Sequence, residues 1–365
     1  MKESMLAFYY YPQWLWISTS RFVKLYLESL SNFPLQLVSI PRFLLVTLLS
    51  FQALLISYIH LSIVFLEKIS LGLLLKPKAY KALFIVGAPR SGTTRMHKLM
   101  AADKNQFTAM KMWELFFAPS IVQKIVFKSI GQVDALFGAP FYKMIKGLEN
   151  KLYKNFNSIH SLSFFNIEED ALILHHLFSS YHLSFLLGKE SSYTYLNYDK
   201  GVPKAVWAYY KICIDNHMVL NGGKQYLSKN PFFSGSLNSL SDLFNEVSFI
   251  HMQRDVKEMR PSFFSLKRFL SKVFYGLEPS KKKYQEINET LGFWNNAALE
   301  YKNQAQIFKA PYSDLKSKPD SLVESCYQFL NIPLGDERRR QLQQEAAAAK
   351  SYQSKHRYRA EEFSV

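Results

Sequence analysis

The chain has 365 residues, enough for one large α/β domain with an N-terminal extension. Hydrophobic residues make up 48 % and aromatics 16 %, which excludes general disorder, and two cysteines, Cys213 and Cys326, are too few for a disulfide framework or a cysteine metal site. The formal net charge of +16 asks for an anionic partner: nucleic acid, a membrane surface or a polyanionic small ligand.

Residues 5–20 and 43–66 are two uncharged runs, the second 24 residues long. About 20 apolar residues cross a bilayer as a helix. The second run starts too late for a secretory signal and lacks a small-residue cleavage site. Two readings stay open: anchoring by spanning or lying in the membrane, or a hydrophobic helix pair packed on the body of the protein. Arg21, Lys24 and Arg42 precede the run and Lys68, Lys76, Lys78 and Lys81 follow it, a slight lean to a cytoplasmic C-terminal side. Lys76-Pro77-Lys78 reads as a hinge. The predicted regions are therefore 1–78, hydrophobic and helical, and 79–365, an α/β domain.

Residues 81–87 read as a buried strand, apolar and ended by glycine. A helix is predicted over 93–102. Residues 110–155 are helical, with a break at Gly138-Ala139-Pro140. Residues 167–190 form an apolar helix pattern opening with Glu168, Glu169 and Asp170. A helix over 203–220 ends at Asn221-Gly222-Gly223. Strands follow at 226–228, 247–253 and 306–309. Helices are predicted at 236–245, 256–270, 286–305, 321–330 and 336–350, with 281–283 as a solvated loop. Strands separated by helices predict a three-layer parallel sheet flanked by helices.

Gly87-Ala-Pro-Arg-Ser-Gly-Thr-Thr94 lies between the first strand and the first helix of this body. Its amides can converge on an anion at the positive end of the helix dipole. The spacing matches the first six positions of a Walker A loop, but Thr93 stands where that loop has lysine, and the cation sits inward at Arg90. The loop suits phosphate or sulfate without the usual ATP-magnesium arrangement. The strand over 247–253 is followed by Arg254, and Ser262 comes eight residues later. An arginine at the carboxyl end of a parallel strand lies in the crevice where such sheets bind ligands.

These segments resemble the P-loop sulfotransferase superfamily. The loop is similar to its 5′-phosphosulfate pattern P-[KR]-[ST]-G-T-[ST], and 249–266 (FIHMQRDVKEMRPSFFSL) is similar to its 3′-phosphate motif. The resemblance covers roughly residues 80–365. It implies 3′-phosphoadenosine 5′-phosphosulfate as donor and an acceptor hydroxyl, with no metal. It gives Arg90 to the bridging oxygen, Ser91, Gly92, Thr93 and Thr94 to the 5′-phosphate, and Arg254 and Ser262 to the 3′-phosphate. Lys229 falls near the sulfuryl group. Pro231 stands where many members carry a histidine base. The runs LSKNPFFSG, IEEDALIL and SKHRYRAEEF resemble a bacterial-type branch, in which Arg357 would close over the 3′-phosphate.

A base must remove the acceptor proton. Glu114, 24 residues after Arg90, is one candidate; Glu168, Glu169 and Asp170 are others, unless they only complement a helix dipole. His175 and His176 sit in an apolar helix, and His160 and His251, near the proposed site, read as structural or hydrogen-bonded; Lys355, His356 and Arg357 form a basic C-terminal stretch that is either a solvated tail or, in family terms, a cover over the 3′-phosphate. The aromatic-rich 263–295 region and the N-terminal helices suggest a lipid or other lipophilic acceptor and a membrane partner. No zinc knuckle, recognition helix or RNP-like strand motif appears, so nucleic acid is not expected. A P-loop kinase or ATPase, and a non-enzymatic basic membrane protein, are the competing readings.

Overall fold

The computed structural model describes residues 2–31, 40–152, 163–183, 201–275 and 278–350. In chain order, helices α1 (Lys2–Ser31) and α2 (Ile40–Ser70) come first, then strand β1 (Ala82–Val86), helix α3 (Thr93–Ala101) and the short strand β2 (Phe107–Thr108). Helices α4 (Met112–Phe117), α5 (Ile121–Leu136) and α6 (Pro140–Leu152) follow. The remaining strands are β3 (Gln225–Lys229), β4 (Val247–Gln253) and β5 (Ile307–Pro311). The chain divides into two compact units. One holds Met1–Lys78, Met110–Ser180 and Lys204–Gly222; the other holds Ala79–Ala109, Tyr181–Pro203 and Gly223–Val365. A unit border falls at the predicted hinge, and segments 110–180 and 204–222 belong with the N-terminal helices.

The second unit is built on a parallel sheet of order β2-β3-β1-β4-β5. Strand β1 is buried at all five positions, as a central strand covered on both faces must be. Leu83 and Ile85 join Met96, Leu99 and Met100 of α3 with Val323, Cys326 and Tyr327 of helix Pro319–Phe329 in one core. The alternate residue Phe84 meets Phe244 and Phe249 instead, at ring separations of 5.4 and 6.1 Å. Period-2 alternation thus loads one strand into two layers. The sheet runs outward from β1 to β3 and β2 on one side, and to β4 and β5 on the other. The carboxyl ends of β3, β1 and β4 therefore meet at a topological switch point.

In the first unit, α1 and α2 lie against each other, with Tyr11 stacked on Phe65 at 4.0 Å and hydrogen-bonded to Ser62 at 2.9 Å. The buried Trp14 indole donates to the Ala205 carbonyl at 2.7 Å, tying α1 to helix Lys204–Leu220. α2 buries Ser57, His60, Glu67 and Lys68 together with Leu61 and Val64, while Leu48, Phe51, Leu55 and Leu66 are exposed, as is Gln52. Its stretch Thr47–Ser70 is long and apolar enough to cross a membrane by length and composition.

Several local expectations change. Within the described part of 167–190, Asp170–Leu177 is a 3-10 helix rather than an α-helix. Its backbone tightens because the segment before it is held: Lys111 bridges Ile167, and the Glu168 amide donates to the Met110 carbonyl at 3.3 Å. Residues 281–283 are the first turn of helix Lys281–Ala297, not a loop, because Ser280 caps it by accepting from the Lys283 amide at 3.2 Å. The helix at 256–270 continues to Tyr275 through Pro261.

Candidate active site

The loop after β1 owes its shape to three left-handed residues: Gly87 at φ 132°, Arg90 at φ 74° and Gly92 at φ 99°. A Cβ at Gly87 would stand 2.6 Å from the Met252 carbonyl oxygen, so the close approach of β4 requires glycine here. Arg90 adopts the same region without that freedom, a strained conformation of the kind that collects at ligand clamps. The Gly87 amide donates to Ser234 Oγ at 2.9 Å, and the Ser91 amide to the Ala88 carbonyl at 3.1 Å. The amides of Thr93 and Thr94 begin α3, where a helix has no internal acceptor for them. Ser91 Oγ is buried with no hydrogen-bond partner among the described residues. These are the features of an anion cradle at a helix N-terminus.

Arg254 follows the last residue of β4, and its side chain turns to this loop. One terminal nitrogen donates to the Arg90 carbonyl at 2.9 Å, while Nε donates to Glu258 at 3.1 Å. The guanidinium lies 4.0 Å over the Tyr312 ring. Arg90 in turn donates from Nε to Ser262 Oγ at 2.8 Å. Arg254 and Ser262, 164 and 172 residues further along the chain, thus both close on Arg90. Lys229 ends β3 beside β1, paired in register with Ile85, and is buried.

The structure therefore brings together Arg90, Ser91, Gly92, Thr93, Thr94, Lys229, Arg254 and Ser262 at one sheet edge of the second unit. Tyr312 and Ser234 were missed in the sequence. The signals were faint: Tyr312 directly follows β5, and Ser234 lies in the run after Lys229. Arg357, His160 and His356 lie outside the described residues. His251 is inside β4, where burial pushes its pKa down to about 4 and keeps it neutral.

Glu114 belongs to the first unit. It caps its own helix, accepting from the Lys111 amide at 2.9 Å through Oε2. Oε1 takes Lys124 Nζ at 3.1 Å and the His217 ring at 3.2 Å. Burial alone would raise its pKa, but the Lys124 charge and the His217 hydrogen bond hold it well below the usual carboxylate range. His217 is itself kept neutral by burial, so its Nδ1–H donates to the carboxylate. In the same unit Asp170 accepts from Tyr210 at 2.7 Å and is buried, as is Glu168, while Glu169 stands at the N-cap. The three acids are not an exposed row at a helix start. His176 is buried against Tyr209 at 2.9 Å, a structural role, and the His175 ring bonds the Leu172 carbonyl.

With this geometry in hand, comparison with known proteins is decisive at one point: the profile described as "Sulfotransferase family" matches residues 82–336. The chain belongs to that family. No curated protein sequence matches this sulfotransferase. Among solved structures, the sulfotransferase STF9 from Mycobacterium avium aligns with a TM-score of 0.62 at 16 % identity, covering 79 % of this chain and 73 % of that one. STF1 from Mycobacterium tuberculosis aligns at 0.56 and 17 % identity, covering 79 % and 74 %. At that identity the two show a shared fold, and the family match carries sulfuryl transfer as the general chemistry.

Proposed function

We propose that this sulfotransferase takes its sulfuryl group from 3′-phosphoadenosine 5′-phosphosulfate and passes it to the hydroxyl of a lipophilic acceptor at a membrane. The observation that supports the donor is the closure of Arg254 and Ser262 on Arg90. A donor with a phosphate at each end of its nucleoside needs two anion sites within one nucleotide's reach. The left-handed glycines, the orphaned Ser91 hydroxyl and the first amides of α3 fit the 5′ end. Arg254 and Ser262 fit the 3′ end.

Sulfuryl transfer runs in line, as phosphoryl transfer does, and rests on positioning and electrostatics. The acceptor oxygen bonds sulfur as the bridging S–O bond breaks. Arg90 balances charge growing on the leaving phosphate, and Lys229 balances the transferred oxygens. Arg357 would cover the 3′ end. On the family resemblance alone the proton acceptor is Glu114; its pairing with Lys124 and His217, which holds it well below the usual carboxylate range, weighs against that role. Glu114→Gln, assayed on protein shown to be folded by circular dichroism, tests it: loss of a general base lowers turnover per folded molecule by roughly 10²–10⁴. Retained turnover would move the role to Glu168, Glu169 or Asp170.

The membrane reading is supported by α2, which exposes Leu48, Leu49, Phe51, Leu55, Ile59 and Leu66 while burying Ser57, His60, Glu67 and Lys68, unlike an ordinary water-facing helix. The flanking lysines favour the catalytic domain on the cytoplasmic side. The donor test compares 3′,5′-bisphosphoadenosine with adenosine 5′-monophosphate by calorimetry. Arg254→Ala is expected to weaken only the former, by roughly 10–100-fold for a lost charged hydrogen bond. Equal weakening of both would refute the 3′-phosphate assignment.

A further inference from the structure

α5 and α6 form a helical hairpin closed by the turn Phe137–Ala139, and among the described residues nothing in its unit covers its far end. Ile130, Val133, Leu136, Phe137, Phe141 and Met144 are all exposed, Leu136 at 84 % and Phe137 at 77 %. Large aliphatic and aromatic groups are thus concentrated at a tip where solvent-facing loops carry polar residues. They lie on both helices and on the turn between them. A flat partner would cover only one face of such a tip, whereas a fluid apolar phase surrounds it.

The backbone of the turn points the same way. The amides of Phe137, Gly138 and Ala139 donate to the carbonyls of Asp134, Ala135 and Asp134, at 3.1, 3.2 and 2.8 Å. Position 140 is proline and has no amide to satisfy. Phe141 and Tyr142 donate to the two carboxylate oxygens of Asp134, at 2.9 and 3.0 Å, and Lys143 donates to the Ala139 carbonyl at 3.0 Å. Every amide from 137 to 143 therefore has an internal acceptor. Water makes that unnecessary for an exposed turn, and hydrocarbon makes it obligatory. Asp134 is the tip's one acid, and it is buried as the cap of α6.

Charge sets the depth. Lys128 and Lys143 are exposed on the two helices behind the tip. At 1.5 Å per residue they stand roughly 12 and 5 Å behind Leu136 and Pro140, the reach at which lysine snorkels to a headgroup while its helix sits in the acyl boundary. Lys128, Lys143 and Lys151 are exposed on the hairpin, while Lys124 is buried against Glu114 and Lys146 pairs with Glu149, so its exposed charge is positive and complementary to an anionic bilayer surface.

From this we infer that the α5–α6 hairpin is a monotopic insertion element: its tip, Leu136 to Phe141, enters one leaflet of an anionic membrane, independently of the apolar stretch in α2. The inference does not rest on the assigned donor or acceptor, and its failure would leave both untouched.

The test places an environment-sensitive fluorophore at Phe137→Cys in the full chain. Labelling is selective because Cys213 and Cys326 are buried and burial raises both thiol pKa values, that of Cys213 to about 12. Ser321→Cys, exposed in the second unit, is the reference site. With vesicles of phosphatidylcholine and phosphatidylglycerol, the label at 137 is expected to shift to the blue. It should be quenched by acyl-chain nitroxide lipids and resist aqueous iodide, while the label at 321 behaves oppositely. Iodide quenching at 137 equal to that at 321 on vesicle-bound protein, or no vesicle binding, would overturn the inference. So would a blue shift without vesicles that grows with protein concentration, which would assign the tip to a second copy of the chain.

Discussion

Lys124→Met isolates the buried charge cluster of the first unit. Lys124 and Glu114 are 3.1 Å apart, with side-chain exposures of 0 % and 6 %. At an effective dielectric near 20, that separation gives a gross attraction of roughly 5 kcal/mol, which the desolvation of both ions largely offsets. Removing the lysine takes away the attraction and leaves the carboxylate desolvated, with only the neutral His217 and the Lys111 amide as donors. The expected loss of stability is about 3–5 kcal/mol. Urea unfolding followed by tryptophan fluorescence, on Lys124→Met, Glu114→Gln and the double variant, measures it together with the coupling between the two sites. pH adds a sign. The folded carboxyl lies below its unfolded value, so its contribution is complete above the ordinary carboxylate range and fades as pH falls through the lowered folded value. A cost for Lys124→Met below about 1 kcal/mol, typical of an exposed pair, would refute the reasoning.

Ser262→Ala removes the acceptor of Arg90 Nε and is expected to weaken 3′,5′-bisphosphoadenosine binding by roughly 10-fold or more in calorimetry, the worth of a hydrogen bond to a charged group. Gly87→Ala sets a Cβ 2.6 Å from a backbone oxygen at a positive φ, and Gly92→Ala sets one 2.9 Å from side chains of Leu315 and Tyr312. Thermal unfolding should fall further for Gly87→Ala, because a β-strand carbonyl cannot step aside as a side chain can. Cys213 and Cys326 should resist alkylation in the native protein at mildly alkaline pH and react only on unfolding.

What the sequence determined by itself was local. The unbroken apolar run 82–86, the glycines at 87 and 92 and the hydroxyls after them specify a strand, a tight loop and a helix start within about a dozen residues. The Gly-Ala-Pro break predicted an interruption where the hairpin turns, whereas Arg254 and Ser262 stood out only through the family resemblance, since their spacing alone is common. Each local signal is carried by short-range backbone preference and needs no distant partner. The tertiary structure decided everything that depends on distant chain meeting. It joined Arg254 to the Arg90 carbonyl and slid the guanidinium over Tyr312, a contact no spacing encodes. It turned Glu114 from an open carboxylate into the centre of a buried cluster, through His217 a hundred and three residues away. It buried Asp170 and Glu168, which the sequence offered as candidate bases or as complements to a helix dipole. An acid's surroundings, not its neighbours in sequence, set its charge and its reach, and those surroundings exist only once the chain has closed on itself.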